Sequence, residues 1–219
     1  MHPPTPQPDL DMTETWRDVR RKVESHGMRF NNVGLRPDPS ITLARPDRDQ
    51  HVEGWIRLIR SMGAAGVPTL ITNLRGIGNF RTESAIGRGG ARYSTFDYAE
   101  FIADPPSHPD QQIDEATLRD NLAHFMRTLI PVAEEEGVVI TMHPDDPPRP
   151  EPLAGAARVL STLDDFERLF ELVRLQCELP HLELGEGTHR MGPRRLPQMF
   201  QRQARIALSY RHSTQDEHF

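Results

Sequence analysis

Apolar residues recur at helical spacing along most of the chain, and each such stretch runs into a short apolar segment that suits a strand. Between Thr13 and Gly27, Trp16, Val19 and Val23 share one face, Gly27 offers a C-cap, and Met28 to Val33 reads as a short strand. The pattern returns from Arg48 to Gly66, with Val52, Trp55, Ile56, Ile59 and Met62 ahead of Val67-Pro68-Thr69-Leu70-Ile71-Thr72. It returns again from Asp114 to Gly137, where Leu118, Leu122, Phe125, Met126, Leu129, Ile130 and Ala133 precede the run Val138 to Met142. A further repeat places Phe166, Leu169, Phe170 and Val173 before His181 to Leu184, and a weaker one spans Leu196 to Tyr210. Helix and strand in regular alternation predict an α/β fold: a parallel sheet with its helices outside and its chemistry at the C-terminal ends of the strands.

One segment breaks the alternation. Residues 74–112 show little periodicity and are rich in Gly, Arg and aromatic residues. Phe80, Tyr93, Phe96, Tyr98 and Phe101 are apolar anchors that a disordered linker normally lacks, so an ordered loop over the site is expected. The organisation that follows is a disordered leader over 1–11, one domain over 12–210 that carries this loop, and a frayed polar tail over 211–219.

Composition narrows the partners. The 219 residues suffice for one well-buried domain, and 20 prolines imply long loops. A formal charge of -6, with basic residues dispersed among acidic ones, argues against nucleic acid and for a small-molecule ligand. No apolar run approaches the ~18 residues of a membrane helix. Cys177 is the only cysteine, which excludes an internal disulfide framework and suits a reducing cytoplasm.

The richest chemistry lies where Val138 to Met142 delivers His143 into the rigid turn Pro144-Asp145-Asp146-Pro147-Pro148. A neutral imidazole fixed at a strand end is a good ligand for a divalent metal, although a histidine there can equally cap the strand by bonding a backbone carbonyl. Asp145 and Asp146 could bind ligand hydroxyls, orient ligands, or start the turn as Asx residues; one functional and one structural aspartate is the expectation. Arg88, within Gly87-Arg88-Gly89-Gly90, could pair with a substrate carboxylate or be a solvated lid residue, with Arg81 and Arg92 as weaker candidates of the same type.

Ile130 to Val138 followed by His143 to Pro148 resembles the signature of the mannonate dehydratase family, lyases on a xylose-isomerase-like TIM barrel. Gly87 to Gly90 with Ser94-Thr95-Phe96-Asp97 resembles that family's loop after the third strand, and Gly187-Thr188 with Met191-Gly192 its fifth strand-loop junction. The resemblance implies a Mn2+ or Fe2+ ion that holds D-mannonate, a sugar acid of hexuronate (glucuronate) catabolism, while dehydration yields 2-dehydro-3-deoxy-D-gluconate. It places His143 at a metal-ligand position. The family's next ligand is a cysteine where this chain has Gly185, and its third a histidine where this chain has Tyr210. Glu186 and His212 are the substitutes expected for them, which gives a ligand set of His143, Glu186 and His212, with Arg88, Asp145 and Asp146 toward the substrate.

The chain reaches Phe219 soon after the sixth strand position. The fold expected is therefore a partial TIM barrel, with about five to six parallel strands, outer helices, and open sheet edges that a homo-oligomer could cover. Two rival functions remain at this point. One is a metal-dependent sugar isomerase or epimerase of the wider xylose-isomerase-like group, and the other is an inactive truncated remnant.

Overall fold

A computed structural model describes residues 11–76 and 78–172 in full, together with the backbone of 173–178. Its elements in chain order are α1 (Thr13–Glu24), β1 (Val33–Gly34), α2 (Pro39–Thr42), α3 (Arg48–Ala65), β2 (Thr69–Thr72), β3 (Ala85–Ile86), β4 (Arg92–Tyr93), α4 (Tyr98–Ala103), α5 (Glu115–Glu135), β5 (Val139–Met142) and α6 (Leu163–Glu178). Contacts divide the chain after Thr162 into two compact units, and the second contributes α6 to the described residues.

In the first unit β1, β2 and β5 form a parallel sheet in that order, with Val33 opposite Leu70 and Thr69 to Thr72 opposite Val139 to Met142. Each step between neighbouring strands passes through a long helix, α3 and then α5, as parallel pairing requires. Mixed helix and parallel sheet is what the periodicity predicts. The further strands expected at 181–184 and 196–210 lie outside the described residues.

The helices form where the spacing places them because each buries one stripe. All five apolar residues predicted for α3 are buried, as are all seven of α5, and Trp55 meets Phe125 edge to face with ring centroids 5.3 Å apart. Burying a side chain of this size contributes about 1.5–3 kcal/mol. α3 packs on both α1 and α5. Its end is set by Gly66, whose φ of 70° lies in the left-handed region, and the carbonyls of Ala65 and Gly66 accept from Arg20 Nη1 at 3.1 and 3.3 Å. α5 begins on Asp114, whose carboxylate accepts from the Thr117 amide at 2.9 Å.

One local reading changes. The strand expected over Met28 to Val33 pairs only at Val33–Gly34, because β2 offers its ladder opposite those two residues. At the other end of the predicted leader, Asp11 accepts from the Thr13 amide at 2.9 Å and from Ser61 Oγ at 3.0 Å, and Met12 beside it is buried.

The segment 74–112 contains the antiparallel hairpin β3–β4 and the short helix α4. Phe80, Phe96 and Phe101 cluster, with centroids 4.8 Å apart for Phe80–Phe101 and 5.3 Å for Phe96–Phe101. The guanidinium of Arg149, from the segment after β5, lies 3.8 Å over the ring of Tyr98 at the start of α4.

Candidate metal and sugar-acid site

The parallel ladder continues past the strand ends and aligns the residues that follow. Leu35 N donates to Ile71 O at 2.9 Å and His143 N to Thr72 O at 2.7 Å, which sets the segments beginning at Arg36, Asn73 and His143 side by side. Asn73 bridges two of them: its buried Nδ2 donates to the carbonyls of His143 (2.8 Å) and Pro144 (3.2 Å). This is the C-terminal edge of the sheet, where open α/β folds and barrels place their ligands.

His143 is exposed, and its Nδ1 lies 2.6 Å from Pro144 O. A carbonyl can only accept, so in the neutral ring Nδ1 carries the proton and the lone pair lies on Nε2, which has no partner among the described residues. Both readings of the residue meet here. The ring does bond a backbone carbonyl, and that bond fixes the tautomer a metal ligand needs.

Asp145 and Asp146 have unlike surroundings. Asp145 is buried, and its Oδ2 accepts from the amides of Val159 (3.0 Å) and Leu160 (2.8 Å) and from Ser161 Oγ (3.3 Å), while Oδ1 stands 3.9 Å from Arg158 Nη2. It is a staple for the returning loop 158–161. Asp146 is about one-third exposed and takes both arms of the Arg81 guanidinium, Nη1 at 3.2 Å and Nη2 in a closer contact. Arg81 also donates from Nε to Ser94 Oγ at 2.7 Å, which ties the hairpin base to the turn after β5.

Arg88 occupies a 3-10 turn (Arg88–Gly90) at the hairpin tip, exposed and without an ion pair among the described residues. The glycines around it serve the hairpin, since a Cβ on Gly87 would overlap the Tyr93 ring and Gly89 and Gly90 take φ of 67° and 78°. Glu186 and His212 lie outside the described residues. Within those residues no three His, Cys, Asp or Glu side chains gather to hold a metal.

The sequence reading passed over Arg36, Asn73, Arg75 and Arg158. Burial pushes the Arg75 guanidinium down to about 10, the charges of Arg36 and Arg158 add to this, and Asp145 and Asp146 oppose it. Arg158 is lowered chiefly by burial, with Asp145 and then Asp146 pulling it back. Applying to β1 and β2 the rule that picked out His143, namely to look just past the strand, leads to Arg36, Asn73 and Arg75.

Comparison with known proteins now decides the lineage. A family model described as D-mannonate dehydratase (UxuA) matches residues 107–217, just over half of the chain. The chain belongs to the D-mannonate dehydratase family. That family comprises metal-dependent lyases of carbohydrate metabolism. Among solved structures, a mannonate dehydratase from Streptococcus suis serotype2 is similar with a TM-score of 0.69 and 26% identity, over 78% of this chain and 52% of that one. The chain thus spans about half the length of this mannonate dehydratase relative. A 3-keto-D-glucoside 4-epimerase, YcjR, from E. coli in its apo form is a more distant likeness, with a TM-score of 0.46 and 14% identity over 78% of this chain and 52% of that one. The family match includes His143 and the turn after it. No described helix is long and apolar enough to cross a membrane.

Proposed function

We propose that the chain acts in the metal-assisted dehydration of D-mannonate to 2-dehydro-3-deoxy-D-gluconate, a step of hexuronate catabolism, with the sheet as the described arc of a TIM barrel. The observation that carries this reading is His143 at the C-terminal end of β5, with Nδ1 committed to Pro144 O and Nε2 open. An imidazole in that tautomer fits a divalent cation of the Mn2+ or Fe2+ type. Neither aspartate beside it is free to join, since Asp145 is held by the 158–161 loop and Asp146 by Arg81. Glu186 and His212 are the proposed companions of His143. A bound divalent cation would polarise the sugar acid's oxygens and so favour loss of the C2 proton.

The chain's own residues do the rest by position. Asn73 holds the His143–Pro144 backbone, and Arg81 pins Asp146, so the imidazole and the turn behind it stay fixed as substrate arrives. The reaction removes a proton from C2 and hydroxide from C3, and the enol that remains tautomerises to the 2-keto acid.

The test is incubation of the purified chain with Mn2+ and D-mannonate, with the keto-deoxy acid measured as product. Wild type is expected to form product and retain Mn2+, whereas His143→Ala loses both while its thermal unfolding midpoint stays near wild type. Absence of product from the metal-loaded wild type would refute the proposal.

A further inference from the structure

We infer that Arg75, flanked by Arg36, binds the carboxylate of the sugar acid beside His143, and that Arg88 does not. This rests on the reading of the strand-end site given above and adds the group that recognises the anion. Unsatisfied polar atoms collect at this edge: among the described residues Thr72 Oγ1, Asn73 Oδ1 and Arg75 Nε, at or just past the end of β2, are buried without a hydrogen-bond partner. Each such group costs about 1–3 kcal/mol. Polar atoms left unpaired together at one strand end call for a partner, and a ligand bound there would supply one.

Charge balance points the same way, since the positive charges of Arg36 and Arg158 both act on Arg75. The nearby carboxylates are already committed, Asp145 to Arg158 and the amides of Val159 and Leu160, and Asp146 to Arg81, so among the described residues Arg75 and Arg36 have no ion-pair partner. An additional anion is what the cluster lacks. Arg75 is the third residue after β2, donates from Nη1 to Asn79 Oδ1, and keeps its Nε–H unused; a guanidinium edge of that kind matches the two oxygens of a carboxylate. Arg36 is exposed, and its Nη1 comes to within 4.0 Å of where a Cβ on Gly78 would lie. Arg158 is too deeply buried to touch ligand and acts as a positioning residue through its charge and its 2.8 Å bond to Pro147 O.

A carboxylate bound at Arg75 would place C2 of the sugar acid next to the segment that carries His143, because the Asn73 amide joins the two strand ends. The hairpin tip offers Arg88 no such link.

The experiment compares binding of D-mannonate with that of D-mannitol, the polyol without the carboxylate, by calorimetric titration of the full chain. Wild type is expected to prefer mannonate. Arg75→Gln should weaken mannonate on the order of 10- to 100-fold, the value of a hydrogen-bonded charge, and leave mannitol within about threefold. Arg75→Lys should recover part of the loss, since the charge returns without the fork. Arg36→Gln, a substitution on an exposed side chain, should lower mannonate affinity in the same direction and reports on the site should Arg75→Gln fail to fold. Equal loss for both ligands, unchanged mannonate affinity, or no preference in wild type would overturn the inference. So would a loss in Arg88→Gln matching that of Arg75→Gln. The two proposals separate cleanly: Arg75-dependent binding without product refutes the lyase reading alone, and product formation with Arg75-independent binding refutes this inference alone.

Discussion

Asp145→Ala should be among the most destabilising single changes in the first unit, although the residue sits in a turn beside a candidate site. The carboxylate has three donors on Oδ2, from Val159 N at 3.0 Å, Leu160 N at 2.8 Å and Ser161 Oγ at 3.3 Å, and the side chains of Asp145 and Arg158 are 1% and 2% exposed. The pair is long at 3.9 Å, so its direct attraction is the smaller part. What matters is what truncation strands: a buried guanidinium without its counter-charge and two amides without an acceptor. Breaking a buried pair in this way costs about 3–5 kcal/mol, and the amide term of about 1–3 kcal/mol each overlaps with it, because the same desolvated pocket is counted in both. A loss of about 3–5 kcal/mol in urea unfolding followed by Trp16 and Trp55 fluorescence is the expected result, or a fall of about 6–20 °C in Tm for a chain of this size. Asp145→Asn keeps one acceptor oxygen and loses the charge, so it should fall between. Were Asp145 a substrate ligand and not a staple, the order would reverse: Asp145→Asn would abolish sugar-acid binding with stability intact. A destabilisation below about 1 kcal/mol for Asp145→Ala refutes the staple.

Arg81→Ala removes a pair about one-third exposed on each side, so global stability should fall by only about 0.2–1 kcal/mol, whereas limited proteolysis within 81–96 should accelerate as the hairpin base comes free. Gly66→Ala forces a left-handed φ of 70° on a residue with a side chain and drives its Cβ into Arg20 Nη1; a loss of about 1–2 kcal/mol in urea unfolding is expected. Asp114 is held below the usual carboxylate range first by the Thr117 amide and then by its hydroxyl, and Asp11, Asp47 and Asp49 are lowered too. A depressed folded-state value stabilises above the ordinary value of 3.8 and loses that contribution as pH falls through the folded-state value, so the denaturant midpoint should drop below about pH 4 and Asp114→Ala should flatten that acid limb.

The contrast between Asp145 and Asp146 shows where a sequence stops being readable. α3 and α5 could be drawn from Val52 to Met62 and from Leu118 to Ala133 because helical burial is local: the period that forms the helix is the period that meets the core. The hairpin β3–β4 left no such trace, since Ala85, Ile86, Arg92 and Tyr93 are exposed on both faces and nothing forces alternation. At the site, position along the chain was legible and role was not. His143 was found because a strand visibly ends on it, and the rule would have found Arg36 and Arg75 had it been applied to every strand end. The two aspartates are chemically identical neighbours, yet one is claimed by amides 14 and 15 residues ahead and the other by an arginine 65 residues behind. Local sequence holds neither partner. The same holds for charge balance at the strand ends: the arginines number as they do in the sequence, but which of them lacks a counter-ion depends on where each carboxylate is already bound. That remainder, and not the glycine-rich motif around Arg88, is what the proposed role of Arg75 rests on.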